Sequence, residues 1–251
     1  MDFTIKKYCE LLDAVRTSGL AVQLRHDVDL LPQYSLRIAQ LEAEHGLRAT
    51  YYFRAVPESW DEAIILKIKD LGHEIGYHYE SLTTCDGDVD AAYQDFICNM
   101  NRLSALVGNS ICSICMHGSP KSPYDSKDIW QKYDYHALGV THEPYLDTDF
   151  STTFYLTDTG RRWDGHKVSV RDKIPIFQDQ WACQGLSFHT TDQVIQALSD
   201  ADSPLRRNFR SIMITTHPQR WMPFGFGWVK ELLLQNLKNI VKKIVVRRLG
   251  N

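Results

Sequence analysis

The hydrophobic residues of this chain follow two periods, one typical of helices and one typical of buried strands. Helical spacing of apolar residues predicts helices over 4–17, 33–45, 60–71 and 93–107. Short apolar runs between them predict strands at 20–24, 47–53, 73–78, 111–116, 135–140 and 211–216, with a last helix after 216. Repeated strand–helix pairs predict an α/β fold with a mainly parallel sheet or barrel.

The organisation along the chain indicates one unit. The 251 residues are 43% hydrophobic, which is enough to bury a sizeable core, and no segment has the composition of a linker. We therefore predict a single domain over 1–251. Residues 141–190 are rich in Thr, Asp, Gly and aromatic residues, and their pattern places strands only loosely.

Polar residues that can bind a metal follow several of the predicted strands. Asp27 and Asp29 follow the first, His78 and Glu80 the third, and His117 the fourth, and His217 comes after the late one. The carboxyl ends of parallel strands meet on one face, so these side chains are expected to share a site. Carboxylate plus imidazole is a usual ligand set for Zn²⁺ and other divalent ions, and we predict one such ion.

Each of these features has a plainer interpretation, which stays open. Residues i and i+2 of a strand project to the same side, so Asp27 and Asp29 share one space, but Asp also caps helices and turns. His73 and His78 could bond loop carbonyls. We interpret Cys112 and Cys115 as core thiols, because they lie in an apolar strand without a second pair.

Charge and cysteine content limit the classes of partner and the cellular location that are expected for this protein. A formal net charge of −3 gives no basic field that favours nucleic acid. Six scattered cysteines and a start without a signal peptide's apolar core lead us to expect a cytoplasmic protein with reduced thiols, and no obligate protein partner is predicted.

Five segments together resemble a known family. They occur in the order Leu24–Asp29, Arg48–Phe53, Gly72–His78, His117–Pro120 and Thr216–Pro218. They look like the motifs of the polysaccharide deacetylases, also called NodB-homology proteins or family 4 carbohydrate esterases, over roughly residues 20–220. The resemblance implies a distorted (β/α) barrel that binds one divalent metal, usually Zn²⁺, through one Asp and two His.

The resemblance also implies roles for individual residues. Asp27 matches the base, Asp29 serves as a metal ligand although Val28 holds the family's position, and His78 matches the first ligand histidine. Leu82 stands where the second histidine is expected. Glu80, His117 or a water remains as the third ligand, and His117 is favoured because imidazole preserves the ligand chemistry.

The later motifs imply the acid and the sugar pocket. His217 matches the general acid, and Asp158 and Trp163 match the stretch that supports it. Candidate substrate contacts are Tyr79, His117, Trp163 and Trp221, although aromatic residues near strand ends are more often simply packing.

The implied activity is metal-dependent removal of an N-acetyl or N-formyl group from an amino sugar in a glycan, a nucleotide sugar or a lipid-linked precursor. Two alternatives stay open: hydrolysis of a small non-sugar amide on the same fold, and glycan binding without hydrolysis, which the loss of the second histidine at Leu82 would suit.

The C-terminal segment predicts a basic amphipathic helix. From Trp228 onward the apolar stripe is flanked by lysine and arginine residues, with Glu231 as the one acid. The stripe comprises Leu233, Leu237, Ile240, Val241 and Ile244. Such a helix can lie on anionic lipid, which predicts peripheral contact with the inner membrane surface. The favoured alternative is that the stripe covers the barrel as its last helix.

Overall fold

The computed structural model of this chain describes residues 1–119, 122–167, 169 and 171–249, and only the backbone at 167 and 241–249. Its strands are β1 (Ala21–Val28), β2 (Ala49–Phe53), β3 (Glu74–Tyr79), β4 (Ile114–Met116), β5 (Thr153–Thr157) and β6 (Ser211–Thr216). Its helices are α1 (Ile5–Thr17), α2 (Pro32–Glu44), α3 (Glu62–Asp70), α4 (Ser81–Thr84), α5 (Val89–Val107), α6 (Pro144–Asp147), α7 (Pro175–Cys183), α8 (Thr191–Ser199), α9 (Pro204–Asn208) and α10 (Phe226–Leu249).

The chain divides into two compact units. We call Met1–Arg25, Glu44–Leu47 and Asp149–Asn251 the terminal unit, and His26–Ala43 with Arg48–Thr148 the central unit. Strand β1 contributes its first five residues to the terminal unit and its last three to the central unit. The single domain expected from the sequence stays a prediction.

The central unit is built on parallel pairing of its strands. Its strand order is β4-β3-β2-β1, and β3 pairs in parallel with both β2 and β4. Tyr52 is the register partner of Gly76, and His78 is the partner of Cys115. The helices that connect parallel strands bury one apolar face, as α5 does with Phe96 and Leu103.

The terminal unit repeats this architecture with the order β1-β6-β5. Strands β5 and β6 are parallel, with Thr157 opposite Thr215, and both are buried along nearly their whole length. The predicted α/β class, with the parallel strands of a distorted barrel, is confirmed. The sheet has six strands within the described residues, where a regular barrel has eight.

One local prediction is corrected. The strand predicted at 135–140 is wrong, because His136–Leu138 is a short 3-10 helix. Asp134 accepts a hydrogen bond from the His136 backbone N–H at 2.8 Å, and Gly139 has a φ of +81°, so the chain turns instead of extending. The fifth strand is β5, in the segment whose pattern placed strands only loosely.

His73 belongs to a buried polar cluster of the central unit. The Nδ1 atom of His73 accepts from the Ala49 backbone N–H at 3.1 Å, and its Nε2–H donates to the Ala39 carbonyl at 2.9 Å. Burial lowers the pKa of His73, although Glu42 acts in the opposite direction. His73 is therefore a neutral structural histidine, as its plainer interpretation proposed.

Gly76 is required by the close approach of β3 to β2. An added Cβ would lie 2.5 Å from the Tyr52 ring, whose hydroxyl is 2.7 Å from the Ser113 hydroxyl and so cannot swing away freely. Gly76→Ala is expected to lower the free energy of unfolding by about 1–3 kcal/mol, measured by urea denaturation. Gly225→Ala is the control, since no atom lies within 4 Å of its added Cβ. Equal stability of the two variants would contradict this account.

Candidate metal centre

The end of β1 brings two carboxylates to one place. Asp27 lies within β1 and is buried, and Asp29 follows the strand. The Asp29 backbone N–H donates to the Asp27 carbonyl at 3.1 Å, so the chain turns there. Both carboxylates face one imidazole: Oδ2 of Asp27 lies 4.0 Å and Oδ1 of Asp29 lies 3.6 Å from Nε2 of His78.

His78 is oriented by the neighbouring strand. Its Nδ1–H donates to the carbonyl of Cys115, its register partner on β4, at 2.9 Å. This bond leaves the Nε2 lone pair directed at the carboxylates. Burial lowers the pKa of His78, but the facing Asp27 and Asp29 carboxylates outweigh it, so the net pKa is raised.

His117 completes the cluster from the end of β4. Its backbone N–H donates to the Tyr79 carbonyl at 2.8 Å, which fixes the chain just beyond the strand. Its Nε2 lies 3.6 Å from Oδ1 of Asp29, and its ring meets that of His78 edge to face at 5.2 Å between centroids. His117 and His78 thus present their Nε2 atoms to the same carboxylate oxygen.

The three atoms Asp29 Oδ1, His78 Nε2 and His117 Nε2 lie within 4.8 Å of one another. Ligand atoms about 2.0–2.2 Å from a tetrahedral Zn²⁺ lie roughly 3.3–3.6 Å apart, which is the distance of each histidine from the carboxylate. Two imidazoles and one carboxylate also suit Zn²⁺ chemically. The residues present therefore fit a divalent ion with a coordination position left for water or substrate.

Glu80 forms hydrogen bonds with Arg54 and with His117, a member of the cluster. Its carboxylate accepts from Nε and Nη2 of Arg54 at 2.7–3.0 Å and from Nδ1 of His117 at 2.8 Å. Arg54 also donates through Nη1 to the Asp29 carbonyl at 3.1 Å. Burial raises the pKa of Glu80, but His117 and Arg54 more than offset it and lower that pKa to about 2. Between the two candidates for the third ligand, this geometry favours His117.

Glu80 is expected to strengthen metal binding by orienting His117. Glu80→Gln should weaken Zn²⁺ binding about 10- to 100-fold, measured by competition with a chromophoric chelator, because a carboxylate on Nδ1 fixes the imidazole and raises its basicity. Glu74→Gln, at the start of β3, is the matched control, since its exposed side chain bonds only Thr50 in the described contacts. Unchanged affinity in Glu80→Gln would remove this role.

A second group of potential ligands shares His78. Asp27, His78 and Cys115 are all buried and offer ligand atoms within 4.8 Å of one another. The interpretation of Cys115 as a core thiol agrees with its burial, whereas that of Cys112 is wrong because Cys112 is exposed. The β3–β4 register, which places Cys115 opposite His78, could not be seen in the sequence. A catalytic ion needs access for substrate, and Asp29 and His117 keep 20% and 17% of their side chains exposed. The Asp29 cluster is therefore the better candidate.

Leu82, at the family's second histidine position, belongs to the core. It is 4% exposed and packs in a cluster with Ala92 and Ile129. An imidazole at this position would stand in an apolar environment.

His217 has its own polar surroundings in the terminal unit. The Asp158 carboxylate accepts from Nδ1 and the backbone N–H of His217 at 2.7 and 3.0 Å, from Arg220 Nη1 at 2.6 Å and from Trp221 Nε1 at 2.8 Å. Burial raises the pKa of Asp158, but Arg220 and His217 lower that pKa by more than burial raises it. The net pKa of Asp158 is therefore below its usual range. An ionised Asp158 thus holds His217, as the family motif implies.

The aromatic residues predicted to contact sugar are in the core. Trp163 is 4% exposed, and Trp221 and Tyr79 are fully buried. Trp163 packs against Trp221 at 6.2 Å between centroids, and Tyr79 packs edge to face on Phe96 at 5.4 Å. These contacts agree with the packing interpretation for all three residues.

No protein-family model matches the chain, and no curated protein matches it. Solved structures of carbohydrate esterase family 4 are similar to it. They include an esterase from Streptococcus mutans (13% identity, 95% of this chain and 87% of that chain, TM-score 0.47) and one from Streptomyces lividans in complex with acetate (14%, 89% and 90%, 0.44).

Another similar structure is a family 4 pseudoenzyme from Bacillus anthracis, with 13% identity and a TM-score of 0.40. The alignment covers 88% of this chain but spans only 61% of that chain. The family that the motifs resemble is thus also the family of these structures.

Proposed function

We propose that this protein is a metal-dependent hydrolase that removes an N-acyl group from an amino sugar. The observation that carries the proposal is the convergence of Asp29, His78 and His117, with each imidazole held at Nδ1 so that Nε2 is available. A divalent ion bound there would polarise the amide carbonyl and lower the pKa of a bound water.

The protein's own residues supply positioning and proton transfer. Asp29, His78 and His117 hold the ion, while the Cys115 carbonyl and Glu80 fix the two imidazole rings. Asp27, buried and 4.0 Å from Nε2 of His78, is the base that accepts the proton of the attacking water.

The leaving amine requires a proton, because an amide anion departs poorly at neutral pH. The resemblance assigns this step to His217, which stays a prediction. One local contact supports it: the Asp158 carboxylate orients the His217 ring by accepting from Nδ1 at 2.7 Å.

Metal content and a substrate panel test the proposal. The purified protein is expected to hold one equivalent of Zn²⁺ or a related ion, to hydrolyse an N-acetylated or N-formylated amino sugar, and to lose that activity to chelation and regain it when the ion is restored. Metal would be measured by plasma emission, and release of acetate or formate by an enzyme-coupled assay.

The outcomes separate the alternatives. A full equivalent of bound metal together with turnover of small non-sugar amides, but not of amino sugars, favours the hypothesis of a hydrolase for small non-sugar amides. Bound metal with no turnover of either amino sugars or small amides favours a protein that binds glycan without hydrolysing it. Absence of stoichiometric metal after reconstitution with Zn²⁺ would overturn the metal centre itself.

A further inference from the structure

Helix α10 is attached to the terminal unit by polar contacts. Trp228 Nε1 donates to the Asp2 carbonyl at 3.0 Å, and Asn239 Nδ2 donates to the Gly160 carbonyl at 2.8 Å. Gln235 is 4% exposed and donates to Asn239 Oδ1 at 2.8 Å. Residues 228, 235 and 239 recur at spacings of seven and four, so they form one face of the helix.

Five apolar residues of α10 lie on a different face and are exposed. We call Phe226, Val229, Leu233, Leu237 and Ile240 the α10 stripe, and their exposures are 85%, 40%, 60%, 62% and 59%. At 3.6 residues per turn the stripe occupies an arc of roughly 80°, centred roughly 140° from the polar contact face.

The prediction that the stripe covers the barrel is therefore wrong for Leu233, Leu237 and Ile240. The predicted members Val241 and Ile244 have side chains outside the described residues. An exposed apolar row of this length is uncommon on a soluble monomer and marks an interaction surface.

The charge of α10 indicates what covers the stripe. The helix carries six basic residues and one acidic residue, although the whole chain has a formal net charge of −3. The basic residues are Lys230, Lys238, Lys242, Lys243, Arg247 and Arg248. Among the described side chains, that of Lys230 is exposed and borders the stripe on the helical projection. This combination of an apolar stripe bordered by cations suits an anionic lipid surface.

A second copy of the chain suits the stripe less well. Pairing two α10 stripes would bring two helices of five net positive charges each into contact, and like charges at that distance repel. No helix within the described residues is long and apolar enough to cross a bilayer, so α10 would lie on the surface.

We propose that α10 docks this protein on an anionic membrane surface, with the stripe inserted at the boundary of headgroups and acyl chains. The site rests on the terminal unit's own contacts and is independent of the metal centre. Docking would bring the protein to the surface where a lipid-linked substrate lies. The docking proposal does not depend on this, because it holds equally if the substrate is soluble.

Co-sedimentation of the full chain with vesicles tests the proposal. The protein is expected to bind vesicles of equal parts phosphatidylcholine and phosphatidylglycerol at low salt, and to bind pure phosphatidylcholine vesicles at least tenfold more weakly. Salt of about 0.5 M should reduce binding to the mixed vesicles, because it screens the lysine contacts.

Two variants assign the effect to α10. Leu233→Gln/Leu237→Gln should lower vesicle affinity at least tenfold without changing the melting temperature, since both side chains are exposed. Lys230→Ser/Lys238→Ser should lower it about fivefold per charge on mixed vesicles. Leu71→Gln/Leu146→Gln, at exposed leucines 37% and 47% accessible outside α10, is the matched control and should bind like the parent.

Other outcomes overturn the proposal. Negligible binding of the parent to mixed vesicles would do so, as would equal binding by the stripe variant and the parent. A concentration-dependent dimer in sedimentation velocity that Leu233→Gln/Leu237→Gln abolishes, without vesicle binding by the parent, would assign the stripe to a second copy. Metal content is expected to be the same in all these variants, so failure here leaves the metal centre untouched.

Discussion

Replacement of His78 by alanine is expected to leave the protein without a stoichiometric metal ion. The variant removes the residue that both candidate ligand groups share, and its Zn²⁺ affinity should fall by at least about 10²-fold, with loss of hydrolysis. Asp29→Asn should have the same effect with less structural disturbance, because Asp29 is partly exposed and asparagine has nearly its shape. Plasma emission of dialysed protein and chelator competition measure both.

The control is His136→Ala, a central-unit histidine that is 55% exposed and not among the candidate ligand groups. It should retain a full equivalent of metal. Circular dichroism and the unfolding midpoint establish that each variant is folded. A folded His78→Ala protein that keeps one equivalent of Zn²⁺ at parental affinity would disprove the assigned centre.

Asp27→Asn is expected to abolish turnover while leaving the metal bound. The amide keeps the shape of the buried side chain but cannot accept the water's proton, so kcat should fall on the order of 10²- to 10⁴-fold. The measurement is kcat on the substrate identified from the panel, together with metal content. His217→Ala should likewise lower kcat and retain the metal, if His217 is the acid.

Release of metal from Asp27→Asn would contradict the division of roles between Asp27 and Asp29. It would favour the buried group of Asp27, His78 and Cys115. Cys115→Ser then decides between the two groups, because it should retain metal if the Asp29 cluster is the site and lose it otherwise. A normal rate in His217→Ala would remove the acid assignment.

The regular elements were predictable wherever one periodicity dominated locally. Helix α5 and strand β3 match their patterns because their apolar spacing coincides with the face they bury. The segment 135–140 has the composition of a strand, but the Asp134 side chain and Gly139 provide a local turn. Strand β5 could be placed only loosely, because its surroundings mix turn-forming and aromatic residues without a clear period.

The candidate site was predictable as a set of residue types but not as an arrangement. The i, i+2 spacing of Asp27 and Asp29 and the ends of β3 and β4 pointed to side chains that the structure places close together. The sequence favoured His117 over Glu80 only by ligand chemistry, because the contact of Glu80 with Arg54 from the end of β2 appears only in the structure. The Cys115 proximity likewise depends on strand register.

By itself, the sequence determined the α/β class, the placing of polar residues at or near strand ends and the basic charge of the α10 segment, because these follow from spacing and composition along a local segment. Only the tertiary structure decided which carboxylate faces which imidazole, that Trp163, Trp221 and Tyr79 are buried, and that the α10 stripe points outward. These depend on contacts between residues far apart in the chain, and burial belongs to the packed fold: the same apolar stripe serves equally as core or as surface until the neighbouring elements are in place.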